Sequence, residues 1–339
     1  MARGLGYYIA VRALMIIPTI LILYTIVFVL LRLLPGDPIL AVIGTKNISP
    51  EQYEELRRLA GLDKPFIIQY FEYLWNMLHG DFGVTLATPR GTPVSKYIWQ
   101  RFPATLELTI FAFAVSVILG LATGTLAALR RGSMLDAGMR VYSIVAYTLF
   151  IPWFGMILQY IFSLQLAWFP TSGRLDPGLT VDRITGLYVV DSLITRNWTV
   201  LKSALAHLVL PSITLGIVLS GAYTRLVRNN MVDILGQDFI RAYKARGVRG
   251  WKVAWYALKN AFIPVVTLMG LQFAILLGGA VLTETTFSWP GMGTFIVDRI
   301  EYRDYTSIQG AVVFFALFVG LISLIVDIVY AMLDPRVKY

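Results

Sequence analysis

The chain lacks cysteine, and both histidine and charged residues are scarce. Without a thiol it can form neither a disulfide nor a thiolate metal site. Its two histidines, His79 and His207, are far apart in the sequence, so we predict no bound metal. Only 14% of the 339 residues are charged, whereas soluble globular proteins have about 25%. This deficit argues against an ordinary soluble domain and is typical of an integral membrane protein.

Long apolar runs account for the missing charge. They cover about residues 13–34, 105–129, 141–167, 203–224, 260–283 and 305–333. Each run exceeds the roughly 20 residues that a helix needs to cross the hydrocarbon core. Because the runs do not alternate between polar and apolar residues, we predict helices rather than barrel strands. The expected fold class is all-α: a polytopic membrane protein with six transmembrane helices in a single transmembrane domain over residues 1–339.

The first run is too long for the apolar part of a signal peptide, and no Ala-x-Ala cleavage site follows it, so we interpret it as a retained helix. If the N-terminus is cytoplasmic, the inner segments (1–12, 130–140, 225–259 and 334–339) carry a net charge of +11, and the longer outer segments carry −1. This asymmetry follows the positive-inside rule. It predicts a multi-pass protein of the cytoplasmic membrane with both termini inside. Anionic lipids then explain most of the basic excess, and nucleic acid is not an expected partner.

The outer segment 35–104 shows helical signals. Ser49 and Gln52 form a capping-box pattern with Pro50 at the first helical position. A second amphipathic helix is predicted over residues 65–79, where apolar residues recur at steps of three and four. The second outer loop, residues 168–202, is rich in Thr, Gly and Asp and is expected to be irregular, with a short turn or hairpin.

Few polar side chains fall within the runs. Glu107 and Asp327 are acidic, and such residues are functional candidates inside a membrane. Both lie near an interface, so we favour structural roles for them. Gln159, Gln165 and Gln272 are neutral, and of these Gln159 and Gln272 are our candidates for a substrate path.

Small residues recur every four positions along the second run, namely Ala112, Ser116, Gly120, Gly124 and Ala128. Such a ridge lets another backbone approach closely. It packs either within this chain or against a second membrane subunit, and spacing does not separate the two. Subunit packing by Ala112, Ser116, Gly120 and Gly124 is our working prediction.

A basic segment lies between the fourth and fifth runs, and residues 238–247 within it read DFIRAYKARG. Asp238 can cap a short helix, and Gly247 can take the left-handed conformation that ends one. Phe239 and Tyr243, four residues apart, project from one face. This helix either lies among lipid headgroups or fits a groove on a cytoplasmic partner, and its amphipathic pattern is the same in both cases.

Residues 241–247 and 258–264 resemble the cytoplasmic EAA loop of binding-protein-dependent ABC importer permeases, most closely in the dipeptide and oligopeptide branch. Matches to this branch continue in order along the chain: Arg32-Leu-Leu-Pro-Gly-Asp-Pro38, Gly61-Leu-Asp-Lys-Pro65, Gly80-Asp-Phe-Gly83, Arg101-Phe-Pro-Ala-Thr-Leu-Glu-Leu108, His207-Leu-Val-Leu-Pro211, Phe287-Ser-Trp-Pro-Gly-Met-Gly293, Arg303-Asp-Tyr305 and Leu333-Asp-Pro-Arg336. Arg241 replaces the Glu of the general motif, and Pro264 falls one helical turn late, but the peptide branch shares both features. Tyr243 replaces a small residue, and residues 172–203 are the least family-like.

The resemblance implies a pore of two homologous permeases, two ABC ATPase subunits that bind ATP and Mg²⁺, and an extracytoplasmic solute-binding protein. The expected cargo is a peptide or a similar small solute, such as an oligosaccharide, glutathione or nickel. This chain has no Gly-Lys pair and therefore no phosphate-binding loop of its own, so it is expected to be a transport subunit and not an enzyme. The resemblance assigns ATPase coupling to the short helix and its ends, with these residues: Asp238, Phe239, Arg241, Ala242, Tyr243, Lys244, Ala245, Arg246 and Gly247.

Two other classes of protein remain as alternatives. An ion-coupled secondary transporter would need coupling-ion sites near the midplane, and no central acid is present in the runs. A membrane-embedded enzyme would need a cluster of catalytic groups at membrane depth, whereas Glu107 and Asp327 are predicted to lie toward opposite faces.

Overall fold

A computed structural model describes residues 5–33, 37–43, 49–87 and 90–333 of the chain. Some positions used in the sequence analysis lie outside the described residues. They are residue 34 at the end of the predicted span 13–34, residues 34–36 of the Arg32–Pro38 motif, residues 334–336 of the Leu333–Arg336 motif and the C-terminal segment 334–339. The α-helices of the described part are α1 (Leu5–Leu33), α2 (Pro38–Ile43), α3 (Pro50–Leu59), α4 (Phe66–Leu78), α5 (Val94–Leu129), α6 (Met134–Thr148), α7 (Ile151–Leu158), α8 (Tyr188–Ile194), α9 (Trp198–Leu235), α10 (Asp238–Ala245), α11 (Gly250–Gly279), α12 (Val281–Thr286), α13 (Met292–Glu301) and α14 (Tyr305–Leu333).

The predicted all-α membrane fold is confirmed. Among the described residues, α1, α5, α9 and α14 are each long and apolar enough to cross a membrane. Two bent pairs raise the count to six if each pair forms one span. In the first, α6 is followed after a bend of 105° by α7 and a π-helical segment, Gln159–Gln165. In the second, α11 bends by 56° at Pro264, where the missing N–H interrupts the helical hydrogen bonds.

Several helix boundaries differ from the predicted ones. The run 105–129 belongs to a helix that begins at Val94, and the run 203–224 belongs to one that covers Trp198–Leu235. A helix can continue into water once its apolar residues end, because its backbone hydrogen bonds are internal. The run 141–167 is not one straight helix, because the backbone is extended at Leu149 and Phe150. The second outer loop, whose residues are all described, holds α8, the start of α9 and irregular segments. It contains the expected short turn, closed by the hydrogen bond from the N–H of Leu179 to the carbonyl of Asp176, and no hairpin.

Helix α5 packs along α9, and this pair forms the centre of the molecule. The ridge of small residues lies in that contact: Ala112 and Ser116 are fully buried. A Cβ on Gly124 would lie 2.8 Å from both the carbonyl oxygen of Thr224 and the Cβ of Val227. The ridge therefore packs against α9 of the same chain. This corrects the prediction that Ala112, Ser116, Gly120 and Gly124 pack against another subunit, because their surface is already occupied.

Hydrogen bonds and an ion pair hold the outer segments in place. Ser49 and Gln52 form the predicted capping box at the start of α3. Glu107 on α5 pairs with Arg174 of the second outer loop at 2.5 Å, and both side chains are buried. The carboxylate of Asp191 at α8 accepts hydrogen bonds from the backbone of Thr185 and from other groups of the same loop. Burial alone would raise the pKa of Asp191, but these hydrogen bonds outweigh it and hold the pKa below its ordinary value.

Candidate functional site

Helix α10 is a separate short helix in the connection between α9 and α11. The chain leaves α9 at Gly236 and re-enters a helix at Asp238. At the other end Gly247 has a φ of +71°. The N–H of Gly247 donates to the carbonyl of Lys244, and the N–H of Val248 donates to the carbonyl of Tyr243. These two bonds form a Schellman motif, so Gly247 ends the helix as its sequence position predicts.

Asp238 does not cap α10 as predicted. Gln237 occupies the cap position, and its side chain makes no capping hydrogen bond. Asp238 is instead the first helical residue and lies 3.3 Å from Arg241 in an ion pair. Its negative charge still suits the positive end of the helix dipole. Because both side chains are largely exposed, the pair adds little to stability.

Ile240 fixes α10 to the rest of the molecule. Its side chain is fully buried in a cluster with Val227 and Met231 of α9 and with Val253 and Ala257 of α11. Full burial of an isoleucine side chain stabilises a contact by about 1.5–3 kcal/mol. An eight-residue helix is marginal in isolation, so this contact is what keeps it in place. Ile240 is not among the predicted coupling residues, although its position three residues before Tyr243 places both on one face.

The aromatic pair Phe239 and Tyr243 belongs to the same contact of α10 with α9 and α11, which we call the joint. The ring centroids of Phe239 and Tyr243 lie 6.1 Å apart, with the edge of one ring toward the face of the other. Both residues are half-buried. The Tyr243 ring also lies 5.2 Å from the ring of Tyr256 on α11. Tyr243, bulky where the family motif has a small residue, therefore fills the space between α10 and α11. Both side chains also remain partly exposed, so contact of Phe239 and Tyr243 with a partner's groove remains a prediction.

The outward surface of α10 is small and basic. Ala242 and Ala245 are exposed. The three basic side chains of α10 and its C-terminal end are exposed as well, namely Arg241, Lys244 and Arg246. Within the part of the chain that the structure describes, Lys244 and Arg246 form no ion pair. Two small exposed side chains with cations around them make a surface that an acidic groove can cover.

The glutamines predicted to face a passage do not form one group. The amide of Gln159 donates to the carbonyls of Thr171 and Thr286, at 2.8 and 3.2 Å, and so links the π-helical segment to the second outer loop and to the last residue of α12. Gln272 is buried on α11, and Gln165 is exposed. Gln159 therefore has a structural task, and a role in a substrate path remains a prediction for both Gln159 and Gln272. Residues 5–33, 37–43, 49–87 and 90–333 contain no cluster of His, Cys, Asp and Glu that could hold a metal ion.

The apolar spans and the short helix inserted between α9 and α11 are those of a polytopic membrane protein. Two family models cover nearly the whole chain: "binding-protein-dependent transport system inner membrane component" matches residues 116–339, and the N-terminal model of the same systems matches residues 6–109. The chain belongs to this family of inner-membrane components. The predicted class, a multi-pass permease subunit of a binding-protein-dependent ABC importer, is thereby confirmed.

Curated relatives match over almost their full length. The di/tripeptide transport system permease protein DppB of Pseudomonas aeruginosa (strain UCBPP-PA14) is 39% identical over 337 residues and covers 98% of both chains. The dipeptide transport system permease protein DppB of Escherichia coli K12 is 37% identical, with 96% of each chain covered. The glutathione transport system permease protein GsiC of Salmonella choleraesuis (strain SC-B67) is 39% identical, with 98% of this chain and 99% of that protein covered.

A solved structure of similar fold is a chain of the MetNI methionine ABC transporter in an inward-facing conformation. The TM-score is 0.51 at 15% identity, and the match covers 68% of this chain and 93% of that one. At this identity the likeness concerns the fold alone.

Proposed function

We propose that the chain imports peptides or similar small solutes by alternating access, together with a second homologous permease. Two separate ABC ATPases supply the energy, and an extracytoplasmic binding protein delivers the cargo. Peptides are favoured as cargo because the similar proteins from P. aeruginosa and E. coli are named as dipeptide permeases. Both termini and α10 lie in the cytoplasm in this proposal, in agreement with the +11 charge of the inner segments.

The observation that carries the coupling proposal is the joint at Ile240. Because its side chain is buried between α9 and α11, a displacement of α10 is passed to both helices. ATP binding would draw the two ATPases together, and the α10 helices seated on them would follow. Helices α9 and α11 would then move as rigid bodies and open the passage outward. Ala242, Ala245 and the surrounding cations would form the contact with the ATPase, whereas Phe239 and Tyr243 hold the joint.

Site-specific cross-linking tests this contact directly. The chain contains no cysteine, so Ala245→Cys introduces a unique thiol. In the purified complex, with exposed native cysteines of the partner subunits replaced, we expect a thiol-specific photo-cross-linker attached to this introduced thiol to capture the ATPase. Met134→Cys, at the exposed start of α6, is the matched control and should give little capture. Equal capture from both positions would remove the basis for assigning α10 to the ATPase.

A proline pair tests whether the geometry of α10 is needed for coupling. Gly247→Pro is incompatible with a φ of +71° and removes the hydrogen bond to Lys244. Gly250→Pro is the control, because Gly250 is the first residue of α11, a position that accepts proline. In proteoliposomes we expect Gly247→Pro to lose ATP-driven dipeptide uptake while membrane insertion persists, and Gly250→Pro to retain uptake. Normal uptake by Gly247→Pro would contradict the proposal, and so would uptake in the absence of ATP.

A further inference from the structure

Helix α4 presents three sides with different chemistry. The first side packs on α1 and α14, in one cluster with Tyr24, Phe28 and Val313. The second side is polar: Glu72 pairs with Lys64 at 2.6 Å, and both side chains line a groove and are partly exposed. The third side is apolar, and no described part of the chain covers it.

The uncovered side consists of large apolar residues at steps of three and four along the helix. Ile67, Phe71, Trp75 and Leu78 are each 62–75% exposed. Ile68 beside them is exposed as well. Apart from the indole N–H of Trp75, none of these side chains can form a hydrogen bond. A contiguous exposed apolar surface of this kind marks contact with a membrane or with another protein.

The charged residues of α1 and α14 locate the membrane beside α4. Arg12 and Arg32 are 20 residues apart on α1, which is about 30 Å of helix and equals the thickness of the hydrocarbon core. On α14, Asp327 pairs with Arg12, and Gln309 accepts a hydrogen bond from Arg32. These two residues are 18 positions apart, about 27 Å of helix. The two helices therefore agree that Arg32 and Gln309 mark one edge of the hydrocarbon core.

The middle of α4 contacts α1 below that edge. The hydroxyl of Tyr24 donates to the carbonyl of Tyr70 at 2.6 Å, and the hydroxyls of Thr25 and Tyr70 lie 2.8 Å apart. Thr25 is seven residues from Arg32, about 10 Å deeper along the helix. Because a threonine side chain is short, the side chain of Tyr70 reaches that depth.

Both ends of α4 also make their inner contacts below the edge. The ring of Phe66 lies 5.3 Å from the ring of Phe28, which is four residues deeper than Arg32. Met77 lies in one buried cluster with Val313, which is four residues deeper than Gln309. Interfacial amphipathic helices bury their apolar side about 5–10 Å into the boundary of headgroups and acyl chains. From its first turn to its last, α4 makes its contacts at the depth of such a helix.

We propose that α4 is an interfacial helix of the outer leaflet. Its uncovered side contacts the acyl chains of lipid, and the side of Glu72 faces headgroups and water. Ile22, Ile26 and Leu30 of α1 are exposed at a similar depth, so the apolar side of α4 extends a surface that a membrane span presents to lipid. The proposal goes beyond the transport function and takes from it only the orientation, in which this end of α1 faces outward. A partner subunit is the competing occupant of the apolar side.

Site-directed spin labelling separates lipid, water and protein as the cover of this side, because the chain has no cysteine of its own. Ile67→Cys and Leu78→Cys place a nitroxide near either end of the uncovered side. Glu72→Cys is the matched control on the polar side of the same helix, where loss of an exposed ion pair costs little. A phospholipid with a nitroxide near the top of its acyl chain is the reference for lipid.

The complex, with exposed native cysteines of the partner subunits replaced, is reconstituted into nanodiscs of phosphatidylethanolamine and phosphatidylglycerol. Power saturation then measures the collisions of each nitroxide with oxygen, which concentrates in hydrocarbon, and with a neutral nickel chelate, which stays in water. We expect Ile67→Cys and Leu78→Cys to match the lipid reference. Their ratio of oxygen to nickel collisions should exceed that of Glu72→Cys roughly ten-fold or more, because a polar chelate enters hydrocarbon poorly.

Three results would overturn the proposal. Frequent nickel collisions at Ile67→Cys and Leu78→Cys would show that water covers the apolar side. Few collisions with either reagent at these positions would show that a protein covers it. A lipid-like ratio at Glu72→Cys would show that α4 has no side toward water and is not interfacial.

Discussion

Replacement of Ile240 by alanine is expected to undock α10 without unfolding the bundle. The side chain is fully buried between α9 and α11. Truncation of a buried isoleucine to alanine costs about 2–5 kcal/mol, through lost burial and the cavity that remains. Each 1.4 kcal/mol is a factor of ten in an equilibrium constant. The docked state of α10 should therefore lose roughly 30-fold to several thousand-fold in population relative to undocked states.

Hydrogen exchange and transport report this change together. In the Ile240→Ala complex, the backbone amides of residues 240–248 should exchange faster, because the capped helix no longer rests on its cluster. Exchange in the middle of α5 should stay slow, because Gly120 and Gly124 there pack against Tyr223 and Val227 of α9. ATP-driven uptake in proteoliposomes should fall, while the ATPase subunits continue to hydrolyse ATP. ATP hydrolysis without uptake would show that movement of the ATPases no longer reaches α9 and α11 through α10.

Ile240→Val is the matched control, because it removes one methylene group and costs only about 0.5–1.5 kcal/mol. We expect it to retain most uptake and near-normal exchange. The reasoning would be refuted if Ile240→Ala exchanges fast at α10 but transports like the wild type. Slow exchange in Ile240→Ala would equally show that the buried side chain does not hold the helix.

Other outcomes follow from burial and charge elsewhere. Glu107→Gln leaves the buried guanidinium of Arg174 without a counter-charge. Thermal unfolding in detergent should therefore report a loss of stability of about 3–5 kcal/mol, most of which is regained when Arg174 is also replaced by an apolar residue. Gly124→Leu should destabilise the α5–α9 pair by overpacking, at about 1–3 kcal/mol or more, whereas Gly138→Leu, with open space around its Cα, should be nearly neutral in the same assay. The lowered pKa of Asp191 contributes stability that is present above its unfolded pKa of about 3.9 and lost as the pH falls through the lower folded value. Acid unfolding of Asp191→Asn should lack that component, and identical acid profiles would contradict the assignment.

Much of the membrane architecture could be predicted because the bilayer imposes a simple constraint. Uncharged runs such as 305–333 must satisfy their backbone internally, and Tyr305–Leu333 is indeed a helix. That constraint ends at the interface. The residues before position 105 read as loop because Lys96 and Arg101 are charged, yet α5 begins at Val94. Polar residues in a helix that protrudes into water leave no hydropathy signal.

The details of the candidate site depended on contacts between distant positions. The stop at Gly247 is local, since a glycine after a basic last turn is a common helix ending, and it was predicted correctly. The role of Ile240 required knowledge of which residues of α9 and α11 meet it. Tyr243 looked anomalous as an outward residue, and its contact with Tyr256 explains its size. The pairing of Glu107 with Arg174 likewise joins a helix to a loop that was expected to be irregular.

The length of α9 has a mechanical consequence. Its 38 residues make a rod of about 57 Å, nearly twice the roughly 30 Å of hydrocarbon that it crosses. One end packs against α8 in the outer loop, and the other end meets the cluster around Ile240. For a rod of this length, each degree of tilt about one end displaces the other by about 1 Å. In the proposed transport cycle, a rotation of a few degrees at the end near Ile240 would therefore shift the opposite end of α9 by about the width of a water molecule.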